Sequence, residues 1–201
     1  MKRITIPLTI TALLLCTACS NSQIHENSTD SINNNDPLSD NKIVQVDWEH
    51  NKVYQWQDYS EADGNPFGED FERKLELADF PDTVFIWRND SIYAYANGEE
   101  STLASGMPLW NAFFADLNSD GFPELCTTAS IGNGLSDDHV IVYDYHNKKE
   151  YALWRRAEFD YSLYLENDEL YVRELPYERD KNTKAKIGQL AIENGELVMK
   201  Q

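Results

Sequence analysis

The segment "YSLYLENDELYVREL", residues 161–175, decides the fold class because its alternation is typical of a half-buried antiparallel hairpin. Tyr161, Leu163 and Leu165 occupy every second position, which places their side chains on one face of a strand. The alternation resumes after Asn167-Asp168, a pair that tolerates the positive φ values of tight turns. The segment therefore predicts two strands joined by a short turn.

Similar β-branched and aromatic runs recur across residues 43–201, and turn pairs such as Asn97-Gly98, Asn147-Lys148 and Asn194-Gly195 separate many of them. About ten such runs predict a mainly β fold: an antiparallel meander, a sandwich or part of a propeller. About 160 residues suit a single domain, and eight Phe, five Trp and eleven Tyr can fill its core.

One short helix is expected between the strands. Phe67, Phe71 and Leu75 fall on one helical stripe, at positions i, i+4 and i+8. Asn65 can cap this helix, and Pro66 suits its first turn.

The first eighteen residues have the features of an export signal, with Lys2 and Arg3 ahead of an apolar run. The run is too short to span a membrane stably. Its end, "LLLCTAC", resembles the lipobox of bacterial lipoproteins, in which a small residue precedes a cysteine that is lipidated and becomes the mature N-terminus. Ala18 before Cys19 fits that pattern. The resemblance implies a protein tethered by Cys19 to the outer face of a bacterial membrane, although secretion in soluble form is the open alternative.

Residues 19–42 are expected to form a disordered tether, because they are rich in Asn, Ser and Asp and carry few apolar side chains. We therefore divide the chain into a signal peptide at residues 1–18, the lipidated cysteine with its tether at 19–42 and one β-rich domain at 43–201.

The chain is strongly acidic, with a formal net charge of −18. Such a surface disfavours nucleic acid as a partner and is compatible with metal cations and with protein or glycan ligands. After lipidation of Cys19, the domain would keep a single cysteine, Cys126, so no disulfide is expected inside it. We expect Cys126 to be a small buried apolar residue.

The segment "DLNSDGFPE", residues 116–124, spaces oxygen donors as in a calcium loop, with a glycine at the bend. Numbered from Asp116, an EF-hand would need a bidentate glutamate at position 12, where Thr127 stands. Pro123 lacks the backbone N–H used in the strand pairing between twin EF loops. A β-branched run follows, where an EF-hand has a helix, so an EF-hand is not expected.

The pattern D-x-N-x-D-G-x-P-E resembles instead the calcium loops of FG-GAP and VCBS-type extracellular repeats, which lead directly into a strand. That resemblance implies side-chain ligands from Asp116, Asn118, Asp120 and Glu124 and a main-chain ligand from Phe122. This oxygen set suits calcium, as a structural ion, better than zinc or copper. The competing interpretation is a turn rich in Asp and Asn that binds no metal.

A longer span, from "GMPLWNAFFADLNSDGFPELCTTASIGNG" at residues 106–134 through "VIVYDYHNKKEYAL" at residues 140–153, is also similar to a domain of Firmicutes exported proteins and of the extracellular ends of β-lactam-sensor-type membrane metallopeptidases. This resemblance covers most of residues 67–200. The H-E-x-x-H motif of metallopeptidases is absent from this chain, so the resemblance does not imply protease activity.

Three functions follow from these patterns. The first is a non-catalytic cell-surface lipoprotein whose calcium-braced β domain binds a ligand or partner. The second is an exported hydrolase that uses two carboxylates on cell-wall or other glycans. The third is a structural or accessory lipoprotein without a metal. The sequence contains no G-x-S-x-G motif, P-loop or two-histidine zinc motif, which favours a binding protein over an enzyme.

Overall fold

The structure, a computed structural model, describes residues 43–48, 52–59, 72–131, 137–178 and 183–201. All of them belong to a compact unit that spans residues 39–201. The predicted signal peptide, Cys19 and the predicted tether lie outside the described residues. No helix in the described part of the chain is long and apolar enough to cross a membrane.

Thirteen strands make up the described part of the domain, and all pairs between them are antiparallel. The strands are β1 (Val53–Asp58), β2 (Glu72–Glu76), β3 (Thr83–Arg88), β4 (Ser91–Ala96), β5 (Glu99–Ser105), β6 (Leu109–Ala115), β7 (Glu124–Ser130), β8 (Asp138–Asp144), β9 (Lys149–Leu153), β10 (Phe159–Glu166), β11 (Glu169–Pro176), β12 (Lys186–Glu193) and β13 (Glu196–Lys200). The prediction of a mainly β fold is confirmed.

The strands form three sheets, which we call the middle, first and last sheets. The middle sheet has the order β1-β6-β7-β8-β9, the first sheet is the meander β2-β3-β4-β5, and the last sheet is the meander β10-β11-β12-β13. Residues 161–175 form most of the predicted β10–β11 hairpin, with Leu165 paired to Leu170. Asn167 and Asp168 at its turn have φ values of 52° and 64°.

The middle sheet is covered on both faces. Phe113 and Phe114 are adjacent on β6 and fully buried, but their side chains belong to different core clusters because successive residues of a strand point to opposite faces. Phe114 packs in the cluster that includes Trp87 and Ile92 of the first sheet. Phe113 packs in the cluster that includes Val172 of the last sheet. The described part of the domain therefore has three β layers and two core clusters.

The predicted helix is wrong where the structure describes it. Leu75 lies in β2, paired with Phe85 of β3, and not in a helix. The other residues that support the helix, Asn65, Pro66, Phe67 and Phe71, lie outside the described residues. A spacing of four residues is even, so it also keeps side chains on one face of a strand, and pairing with β3 determines the outcome here.

Candidate metal centre

The acidic loop joins β6 to β7 and spans residues 116–123. Its backbone turns sharply, with φ values of 62° at Ser119 and 88° at Gly121. A Cβ atom added to Gly121 would meet no atom within 4 Å, so this position favours glycine for its backbone conformation and not for lack of space. Both ends of the loop are fixed by buried strands, since Ala115 and Glu124 are each almost fully buried.

Side-chain oxygens accept hydrogen bonds from the loop's own backbone. The Asp116 carboxylate accepts from the N–H groups of Asp120 (3.1 Å) and Gly121 (2.9 Å). Asn118 Oδ1 accepts from the Asp120 N–H at 2.8 Å, and Asp120 Oδ1 accepts from the Phe122 N–H at 2.9 Å. These bonds hold the predicted donor residues in one tight turn.

Glu124 is the unusual member of the group because its side chain is only 1% exposed. Its Oε2 accepts a hydrogen bond from the Leu117 N–H at 2.6 Å, whereas its Oε1 is buried without any hydrogen-bond partner. Burial raises the pKa of Glu124 to about 8, and the negative charges of Asp144, Asp116 and Asp120 contribute to the rise. The Leu117 N–H opposes this rise but stabilises only one of the two carboxylate oxygens.

One ion can reach three of the carboxylates at once. Asp116, Asp120 and Glu124 each offer an oxygen, and these oxygens all lie within 4.8 Å of one another. Calcium binds oxygen at about 2.3–2.6 Å, so ligands on opposite sides of one ion stand roughly 5 Å apart. Asn118 lies beside this group, since its Nδ2 donates to Asp120 Oδ2 at 3.1 Å. Phe122, the predicted main-chain ligand, follows in the same turn.

Two residues that the sequence analysis did not select lie beside this group, at the turn between β8 and β9. Asp144 is 3% exposed and accepts from the Asn147 N–H and from Asn147 Nδ2, each at 2.8 Å. Asn147 Nδ2 also donates to Asp120 Oδ2 at 3.0 Å. The pairing of β7 with β8 brings this turn to the acidic loop. Pairing "ELCTTAS" (residues 124–130) with "HVIVYD" (residues 139–144) in the sequence would predict that Asp144 and Asn147 lie near the acidic loop.

No ion pair between described residues includes Asp116, Asp120, Glu124 or Asp144. Lys149 is paired with Asp144 across the sheet, but its Nζ donates to the Gly195 carbonyl at 2.9 Å and lies over the Tyr151 ring. Asp116, Asp120 and Glu124, and Asp144 beside them, therefore have no side-chain cation in contact within the described part of the chain.

A second polar cluster lies at the other end of β8. Asp138 accepts from the Ser130 hydroxyl and from Trp110 Nε1 (3.3 Å), and Asp137 accepts from Trp154 Nε1 at 3.3 Å. His139 stacks on Trp154, with ring centroids 5.2 Å apart. Asp137, Asp138 and His139 are thus each in contact with a tryptophan.

The tryptophans differ in exposure, which bears on a glycan partner. Trp48, Trp56 and Trp87 are buried in the core cluster of the first sheet, so they serve packing. Trp154 is 48% exposed.

Cys126 is fully buried and free, as expected, and burial raises the pKa of its thiol well above the ordinary value.

Comparisons with protein-family models, with curated proteins and with solved structures found no match to this chain. The resemblances to lipoproteins and to FG-GAP or VCBS-type calcium loops therefore stay predictions.

Proposed function

We propose that this domain is a non-catalytic calcium-binding module whose ion is held by the acidic loop. The observation that carries the proposal is the buried Oε1 of Glu124, which has no hydrogen-bond partner and belongs to a carboxylate grouped with Asp116 and Asp120. Buried polar atoms nearly always have partners, and a cation would supply the missing one. The ligands would be Asp116, Asn118, Asp120 and Glu124 through their side chains and Phe122 through its carbonyl.

Calcium fits this set better than other common ions. All the donors are oxygens of carboxylate, amide or carbonyl groups, which disfavours zinc and copper. The turn offers ligands of different lengths, which suits the flexible coordination of calcium better than the strict octahedron of magnesium. Extracellular modules bind calcium at about 0.1–1 mM, which is the range we expect for a single loop.

The ion would act as a structural brace, because the acidic loop contacts both outer sheets. The Leu117 carbonyl accepts from the Ile192 N–H of β12 at 3.0 Å. Phe122 packs on Phe80, which precedes β3, with ring centroids 5.9 Å apart. Fixing the loop would therefore hold β6 and β7 of the middle sheet against β12 and against the β2–β3 connection.

We further propose that the module is displayed outside the cell on a lipid anchor at Cys19, where it binds a protein or glycan partner. The support is the signal-like N-terminus, the net charge of −18 and the absence of catalytic motifs from the sequence. The metal-free accessory lipoprotein is the competing outcome of the melting experiment below, and turnover of glycan or peptidoglycan fragments would instead favour the carboxylate hydrolase.

Thermal unfolding with calcium and with chelator tests the metal. We expect 1 mM calcium to raise the melting temperature of the wild-type chain, and Asp120→Ala to remove most of that gain because it removes a ligand. Asp82→Ala, which replaces an exposed aspartate in the turn before β3, is the matched control and should keep the gain. Equal melting curves for the wild type in calcium and chelator would overturn the metal site.

A further inference from the structure

We propose that the metal centre has two parts: the acidic loop supplies the ligands, and Asp144 and Asn147 of the β8–β9 turn position them. The inference rests on the proposed calcium binding and adds a second chain segment to it. Neither residue belongs to the D-x-N-x-D-G-x-x-E pattern.

The strand register brings Glu124 and Asp144 close together. Leu125 of β7 pairs with Tyr143 of β8, and one step further along the same register lie Glu124, the first residue of β7, and Asp144, the last residue of β8. Directly opposed residues of an antiparallel pair have Cβ atoms about 5 Å apart and side chains on one face. Two like charges opposed in this way are destabilising, unless a cation compensates them.

Burial strengthens the repulsion between these two carboxylates. Asp144 is 3% exposed and Glu124 is 1% exposed, so water cannot solvate either carboxylate well. Lys149, the strand partner of Asp144, directs its ammonium group to the Gly195 carbonyl. A divalent ion bound by Glu124 would therefore be favoured by the charge of Asp144 even without direct contact between the two.

Asn147 connects the β8–β9 turn to the acidic loop through hydrogen bonds. Its Nδ2 group donates both to Asp120 Oδ2 (3.0 Å) and to Asp144 Oδ2 (2.8 Å), so one amide bridges a predicted ligand and the buried carboxylate behind it. The hydrogen bonds from Asn147 to Asp144 fix the amide, and the amide fixes the orientation of Asp120. Groups that orient metal ligands in this way commonly change affinity 10- to 100-fold when they are removed.

A second contact holds the turn against the loop. The His146 ring stacks on the Phe122 ring with centroids 3.9 Å apart and planes 4° apart. The β8–β9 turn therefore meets the acidic loop at two points: the Asn147–Asp120 hydrogen bond and this stack. Both points adjoin residues that we assign to the ion.

Calcium titration by calorimetry, on the full chain, tests the inference. We expect Asn147→Ala and Asp144→Asn each to raise the calcium Kd about tenfold or more. Asp138→Asn is the matched control, since it removes one carboxylate from the other end of the same strand and should leave the Kd within about twofold. Asn147 is exposed, so Asn147→Ala is expected to fold even if Asp144→Asn does not.

The luminescence lifetime of bound terbium adds a readout that a general loss of stability would not change. A poorly positioned ligand set should admit at least one more water molecule to the ion in Asn147→Ala than in the wild type. If the wild-type chain binds no calcium, the proposed function fails. If the wild type binds calcium and both variants keep its Kd and its water number, the two-part centre is wrong while the calcium loop stands.

Discussion

Glu124 and Asp144 are buried residues at the ends of two neighbouring strands, one register step beyond the Leu125–Tyr143 pair. Neither carboxylate forms an ion pair with a described residue, and Glu124 Oε1 has no hydrogen-bond partner. This arrangement is unfavourable in a metal-free protein and favourable around a cation, and it motivates the first prediction.

Glu124→Gln should separate stability from metal binding. The amide has the same shape and can still accept the Leu117 N–H, so we expect the free energy of unfolding in chelator to change by about 1 kcal/mol or less. The calcium-dependent rise in melting temperature should disappear, because the buried negative charge is gone. Chemical unfolding with and without calcium measures both quantities. A variant that keeps the full calcium effect would show that Glu124 is not a ligand.

Gly121→Ala should weaken calcium binding through the backbone. Its φ of 88° disfavours any residue with a Cβ, at a cost of about 1–2 kcal/mol. Gly98→Ala, in the β4–β5 turn, is the control. Gly98 has a φ of 82°, and a Cβ atom added there would also meet no atom within 4 Å, so the loss of stability should be similar. Calorimetry should show a calcium Kd that is higher than that of the wild type for Gly121→Ala and unchanged for Gly98→Ala. Equal Kd values for the two variants would contradict a role for the loop.

Phe113→Ala and Phe114→Ala should be destabilising to similar extents. Both side chains are fully buried, each in a different core cluster, and loss of a buried Phe costs about 3–5 kcal/mol. Denaturant unfolding measures the change, with Tyr95→Ala as an exposed aromatic control expected to lose far less. A small effect at either Phe would mean that one face of the middle sheet is poorly covered.

Cys126 should resist thiol reagents in the folded protein. Its side chain is fully buried and its thiol pKa is raised by burial, so the reactive thiolate is scarce and inaccessible. Mass-spectrometric mapping of labelled peptides should find modification only after denaturation. Rapid labelling under native conditions would show that β7 opens readily.

Membrane anchoring should depend on Cys19. Cys19→Ala should move the protein from the membrane fraction to the soluble exported fraction, since the lipid attachment point is lost. Cys16→Ala is the matched control, because Leu15 does not fit the small residue that the lipobox pattern requires before the cysteine. Fractionation with immunodetection distinguishes the two. Release of both variants, or of neither, would refute the assignment.

The hairpins were predictable because their signals are local. Asn97-Gly98 and Asn194-Gly195 both have positive φ values at the turns where they were expected. The pattern of residues 109–115, in contrast, does not predict a strand. "LWNAFFA" is apolar on both faces because β6 is covered on both sides, so the two-residue alternation is lost.

Other features escaped prediction because they depend on distant partners. "EESTLAS" has little strand propensity, yet it forms β5 at the edge of the first sheet by pairing with β4. "IVQVDW" looks like a strand but makes only an isolated bridge, between Val44 and Leu77. The acidic loop was recognised from its own spacing, whereas Asp144 and Asn147 become part of it only through the pairing of β7 with β8.

The position of β1 has a consequence for how the chain folds. Every strand pair in the described sheets joins sequence neighbours except β1–β6, whose members are separated by residues 59–108. A chain made from its N-terminus produces β1 well before β6, so β1 stays without its partner while the β2–β5 meander can already close by local turns. Docking of β1 then requires closure of a long loop, and we expect it to be a late step that completes the edge of the middle sheet.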